Sequence, residues 1–131
     1  MVEVVDYHHG HLDGVLDLCR AEGWPTLPAD AGRADRSLTA PGVITSVALD
    51  DDIVVGFSQM LTDGGTRAYL AVMAVAISHR RRGIGERLVR HAFARTGAPY
   101  VDLLTEDAQS FYLSFPQVRR LDGFRLYPTQ Q

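Results

Sequence analysis

Arginine and glycine crowd one short stretch, Arg80-Arg81-Arg82-Gly83-Ile84-Gly85, and residues of these types so spaced could hold a phosphate. Upstream, Tyr69-Leu-Ala-Val-Met-Ala-Val75 is a continuous apolar run of strand length; downstream, Ile84, Leu88, Val89, Ala92 and Phe93 recur at the spacing of one helix face. The turn therefore opens a helix, whose first N–H groups lack internal partners and carry the positive end of the helix dipole. A turn that aims those groups outward makes an anion site. Gly83 and Gly85 would let the main chain approach the anion with no Cβ in the way. A surface corner whose glycines only punctuate the step from strand to helix is the alternative reading of the same residues.

Spacing narrows the choice. No Gly-Lys-Ser/Thr follows, so a P-loop is excluded, and the position three after Gly85 is Leu88, which weakens a dinucleotide fingerprint. A second segment adds to the first. Tyr100-Val-Asp-Leu-Leu-Thr105 reads as a short buried strand and Ala108-Gln-Ser-Phe-Tyr112-Leu as a short helix ended by Pro116. The first motif resembles the acyl-coenzyme A pyrophosphate loop of the GNAT superfamily of N-acetyltransferases, Gln/Arg-x-x-Gly-x-Gly/Ala after a strand ending in Val. Arg80, Gly83 and Gly85 fall in place. The second is similar to the family's next strand and helix, where an Asn is followed after three residues by Ala and after seven by Tyr. Thr105, Ala108, Phe111 and Tyr112 sit at those offsets, with Thr105 a departure at the Asn position. Phe111-Tyr112 also reads as an ordinary aromatic anchor between a helix and a sheet. The specific part of the resemblance spans residues 69 to 112.

The elements that must position these residues follow along the chain. Val2 to Tyr7 reads as a strand, and His11 to Glu22 as a helix with Leu12, Val15, Leu16 and Cys19 on one face, ended by Gly23-Trp24-Pro25. Asp30 to Leu38 is a second, short helix with Asp30 as its cap. Val43 to Leu49 and Ile53 to Leu61 form a hairpin across Asp50, Asp51 and Asp52; Asp63-Gly64-Gly65 turns the chain into the long strand. The helix from Ile84 to Arg95 stops at Gly97 and Pro99. Val118 to Leu121 and Phe124 to Tyr127 flank Asp122-Gly123, a hairpin signal. The expected class is α/β, or α+β, with residues 1–131 as one domain. Its mixed central sheet has about six to seven strands flanked by helices, as the resemblance implies for a GNAT-like fold. The tail is short for that family, so the last strand is either stunted or supplied by a partner chain in a homodimer.

Bulk properties set bounds. The 131 residues are 46% hydrophobic with a net charge of −3, enough for a core and opposed to a nucleic-acid partner. No apolar run has membrane-spanning length, and no basic segment leads into an apolar one, so neither a membrane partner nor export is expected. The single Cys19 forms no internal disulfide, and the default setting is cytoplasmic.

The resemblance implies acetyl-CoA as co-substrate, with no metal, and acetyl transfer to a primary amine. In the family the fourth and fifth strands splay around a bulge, and the pantetheine arm inserts between them. Carried over, the main chain of Met73, Ala74 and Val75 bonds the pantetheine amides. The amides of Arg81, Arg82, Gly83, Ile84, Gly85 and Glu86 hold the pyrophosphate, Arg80 or Arg82 adds charge, and Thr105 stands at the family's cofactor-contacting position. Tyr112 becomes the general acid for the departing thiolate, since a phenol with a pKa of about 10 is close to a thiol. The base is Glu22, His8, His9, His11 or a relay of water, each histidine reading equally as a capping or solvated residue. The acceptor wall comprises Trp24, Pro25, Phe57, Gln59 and Tyr69, although Trp24 also reads as core and Gln59 as solvated. The acceptor is a small molecule or a peptide amine. A non-catalytic acyl-CoA sensor and a small interaction module with purely structural glycines are the other function classes.

Overall fold

The computed structural model describes residues 1–130, and its sheet is a meander continued by one crossover. Strands β1 (Val2–Asp6), β2 (Val43–Asp50), β3 (Ile53–Thr62) and β4 (Ala68–Val75) lie in that order and pair antiparallel; β5 (Asp102–Leu103) pairs parallel to β4. Between β1 and β2 come the helices α1 (Leu12–Glu22) and α2 (Ala31–Leu38); α3 (Ile84–Phe93) carries the chain from β4 to β5, and α4 (Gln109–Leu113) follows.

Local chemistry accounts for most of these boundaries. Asp30 caps α2, its carboxylate accepting from the Arg33 N–H at 3.0 Å, and Gly23 ends α1 in the left-handed conformation. In the β2–β3 turn Asp51 and Asp52 both have positive φ, 48° and 71°, as a two-residue hairpin of matching twist requires.

Alternation along the strands builds two cores. Phe57, Val47 and Ala74 face α1 and α2, packing on Val15, Leu18, Cys19 and Leu38. Their neighbours face α3: Ala48 and Val55 pack on Ile84 and Leu88, while Met60, Ala68 and Leu70 pack on Val89 and Ala92. The result is a helix–sheet–helix sandwich.

Five strands form, fewer than the six to seven expected. The tail from 117 to 127 has no regular structure, and Val118, Leu121, Phe124, Leu126 and Tyr127 are exposed. The Asp122-Gly123 signal is local, whereas a strand needs a partner. Arg119 and Arg120 leave neither face of the first arm apolar, and an isolated two-stranded hairpin is marginal in water.

Candidate active site

The segment between β4 and α3 turns on two residues in the left-handed region. A 3-10 turn, Ile77–His79, leaves the strand and is pinned to the β2–β3 hairpin by the His79 Nε2 contact with Asp50 at 2.7 Å. Arg81 (φ 64°) and Gly83 (φ 77°) then swing the main chain into α3, whose first helical bond runs from the Arg87 N–H to the Gly83 carbonyl. No hydrogen-bond acceptor among the described residues meets the N–H groups from Arg81 to Glu86. Consecutive free N–H groups around left-handed residues, at the positive end of a helix, form a cradle for an anion. A Cβ at Gly83 would meet nothing within 4 Å, so glycine is needed there for its φ. Arg81 holds a similar φ with a side chain attached, a strain of the sort found at ligand-binding turns. The Ile84 side chain is core, so only its N–H serves the cradle, and Glu86 pairs with Arg90 at 3.5 Å.

Beside this turn β4 has an unpaired edge. Its ladder with β3 slips between Gln59↔Val72 and Met60↔Leu70, which makes Ala71 a bulge, and its pairing with β5 stops at Leu70↔Leu103. The Ala76 N–H bonds the Val55 carbonyl at 2.8 Å, so alternation directs the polar groups of Ala74 toward β3 and those of Met73 and Val75 away from it. Ala74, expected to offer its main chain to a ligand, is therefore used within the sheet. Met73 and Val75 have no strand opposite them.

Arg80 departs from its expected place. Its Nε donates to the Val75 carbonyl at 2.9 Å and its Nη2 donates to the Glu22 carboxylate, so two donor nitrogens are engaged away from the cradle. Arg82 stays exposed at the turn. Glu22, the last residue of α1, is thereby brought to the end of β4. No local signal announces this pairing, which joins residues 58 positions apart.

Tyr112 lies on α4, half-buried against the core of Met60, Leu70 and Val89, with its ring stacked on Phe115 and edge-on to Phe111 at 4.8 Å. Burial pushes its phenol up to about 12, so the hydroxyl stays protonated at neutral pH. Thr105 accepts from the Ala108 N–H at 3.0 Å and so caps the entry to α4. Gly85 faces this helix and not the cradle: a Cβ there would lie 2.9 Å from Phe111 Cζ.

The expected acceptor wall does not converge. Phe57 is fully buried beneath α1 and cannot line an open surface. Gln59 Nε2 donates to the Ser37 carbonyl of α2 at 3.3 Å. Trp24, 39% exposed, lines an open hollow of about 480 Å³ with Arg20, Pro25, Pro28 and Ala29; Tyr69 lines another, of about 500 Å³, with Leu61, Asp63 and Asp102. The Trp24 hollow is the one adjoining Glu22. Of the candidate bases, the histidines cluster where β1 leads into α1. His9 contacts Asp35 at 2.5 Å, the His8 Nδ1 accepts from the Gly10 N–H, and His11 is buried with its Nδ1 accepting from the His8 N–H.

Comparison with known proteins bears on this arrangement. The family model of the acetyltransferase (GNAT) domain matches residues 41–115. Among solved structures, a GNAT family acetyltransferase from Streptococcus pneumoniae is 26% identical with a TM-score of 0.78, covering 99% of this chain and 100% of that one. A ribosomal-protein-alanine N-acetyltransferase from Brucella melitensis is 16% identical, TM-score 0.76, with 96% and 98% covered. An aminoglycoside N-acetyltransferase in complex with CoA is 21% identical, TM-score 0.75, with 96% and 95% covered. No curated protein matches the sequence.

Proposed function

The chain belongs to the GNAT acetyltransferase family, and we propose that it passes the acetyl group of acetyl-CoA directly to a primary amine held in the same complex. One observation carries the cofactor half: free N–H groups from Arg81 to Glu86 open next to the unpaired edge of β4. The turn suits a diphosphate, and the edge suits an extended amide chain laid beside Met73 and Val75 as though it were another strand.

Acetyl-CoA supplies an activated thioester. The N–H of Val75 polarises its carbonyl oxygen, where negative charge develops as the amine adds. Tyr112 gives its hydroxyl proton to the departing sulfur as the carbon–sulfur bond breaks and is reprotonated through solvent as the new amide nitrogen releases its proton; a phenol held protonated by burial suits that task. The amine loses its proton to solvent before attack, because the histidines at the start of α1 are engaged with main chain and with Asp35, and Glu22 is bound to Arg80. The acceptor's body rests in the hollow at Trp24, Pro25 and Pro28, beside the end of β4.

The test is thiol release from acetyl-CoA across a panel of amines, with coenzyme A stabilisation of the fold measured alongside. A ligand at a hundred times its Kd raises stability by about 2.7 kcal/mol. Turnover with at least one amine and a clear rise in Tm are expected. Stabilisation without turnover of any amine would leave a binding module; no stabilisation would remove the cofactor assignment.

A further inference from the structure

Glu22 and Arg80 form a polar pair at the end of β4 that the mechanism leaves unused. We propose that they are positioning residues for the thioester arm: Arg80 occupies the Val75 carbonyl so that the open end of β4 presents an N–H donor, and Glu22 holds Arg80 there instead of accepting a proton from the amine. This inference rests on the acetyl-CoA reading above.

Val75 points both its N–H and its carbonyl away from β3, and β5 does not reach it. An outward carbonyl needs a donor, and left alone it would compete for any donor of an inserted amide chain. Arg80 Nε meets that need at 2.9 Å, from five residues along the chain. The carbonyl is thereby neutralised, and the edge accepts an arm that brings its own acceptor to the Val75 N–H.

Glu22 completes the fixture. Arginine's planar fork is set in orientation once two of its donor nitrogens are bound, here one by Val75 and one by Glu22. The side chains are 46% and 25% exposed, and an ion pair so exposed adds little to stability. Its effect is therefore on geometry at the edge. It also joins the last turn of α1, which leads into the Trp24 hollow, to the strand that receives the cofactor.

Calorimetric titration with coenzyme A and with ADP, which has the diphosphate but no pantetheine arm, separates this role from phosphate binding. Arg80→Met should weaken coenzyme A about tenfold or more, the penalty of leaving the Val75 carbonyl without a donor beside the bound arm, while ADP changes less than about twofold and apo Tm barely moves. Equal losses for both ligands would put Arg80 on the diphosphate and overturn the proposal, as would unchanged affinity for coenzyme A. The Glu22 pair decides the same point without ADP. Glu22→Ala should reproduce the loss for coenzyme A, whereas Glu22→Gln, whose amide oxygen still accepts from Arg80, should keep both affinity and the pH–rate profile. Abolished turnover in Glu22→Gln at unchanged affinity would make Glu22 the base and refute the positioning role. Wild-type protein that bound neither ligand would sink the acetyl-CoA reading itself, and this inference with it.

Discussion

Substituting Gly85 by alanine separates a glycine needed for an anion from a glycine needed for packing. A Cβ at this position lies 2.9 Å and 3.2 Å from two carbons of the Phe111 ring and 3.3 Å from Met73 Cε. Carbon contacts relax at about 3.5–4.0 Å, so the ring must retreat by roughly 0.6–1 Å. Phe111 rides on the short helix α4 and touches Tyr112 and Phe115 edge-on, at centroid distances of 4.8 Å and 5.5 Å, so its movement carries Tyr112 along. Overpacking of this sort costs about 1–3 kcal/mol, and replacing Gly by Ala in a helix returns up to about 1 kcal/mol. The net loss is about 0–3 kcal/mol, a fall in Tm of up to roughly 12 °C at this chain length. The N–H of residue 85 is untouched, so affinity for coenzyme A should change by less than about threefold. Turnover should fall further, because the phenol has moved. Thermal unfolding, coenzyme A titration and acetyl transfer would be measured for Gly85→Ala, Phe111→Leu and the double variant, whose smaller side chain makes room for the new methyl. A coupling of about 1 kcal/mol or more in stability is expected. A Gly85→Ala protein as stable as wild type, yet with its coenzyme A affinity lost, would refute the packing argument and return Gly85 to the anion.

Tyr112→Phe keeps the ring and removes the hydroxyl, so acetyl transfer should drop at least about tenfold while coenzyme A affinity stays within about twofold; equal rates by steady-state kinetics would dismiss Tyr112 as the acid. Phe57→Ala opens a cavity at a fully buried site and should cost about 3–5 kcal/mol in urea unfolding, whereas a loss under about 1.5 kcal/mol would contradict its place in the core. His11 is held neutral by burial, with the neighbouring His8 adding to the effect, and its Nδ1 accepts a main-chain bond. Its folded pKa is therefore below the unfolded value of about 6.5, so its contribution is complete above that pH and is lost as pH falls through the folded pKa. Melting curves from pH 7 to pH 5 should decline more steeply in wild type than in His11→Gln, and parallel curves would rule the effect out.

The parts of this molecule that were legible in the sequence are those fixed by neighbours in the chain. An apolar run, a glycine turn and a helical period from Tyr69 to Phe93 specify β4, the cradle and α3, because each depends on interactions within a few residues. Asp30 at the start of α2 and the aspartates between β2 and β3 were readable for the same reason. Alternation put Phe57 and Gln59 on one face, as found, but it does not say what covers that face; α1 does, and Phe57 is core. The bulge at Ala71 leaves no mark in composition. Nor does the bond between Arg80 and Glu22, since both sit at element ends whose meeting is set by how α1 lies on the sheet. The tail failed in the other direction: a sound local turn signal at Asp122-Gly123 found no edge long enough to pair with.

These differences divide the site between backbone and side chain. The cradle and the edge act through N–H groups, which every residue but proline carries, so the side chains there matter for the conformation they permit and not for the atoms they present. Gly83 is the clearest case, required for its φ with open space around it. On the proposed reading three residues contribute atoms of their own: Arg80 and Glu22 fix which polar groups the edge offers, and Tyr112 offers a proton. The chain's net charge is −3, yet the turn proposed to meet the diphosphate sets a helix start beside the exposed Arg81 and Arg82. On the proposed reading, attraction for the cofactor is local, produced by a strained turn at a helix start. The acceptor side has no such framework. In the proposed acceptor hollow, Trp24, Pro25 and Pro28 of the segment between α1 and α2 present apolar surface, and Glu22 beside it is already paired.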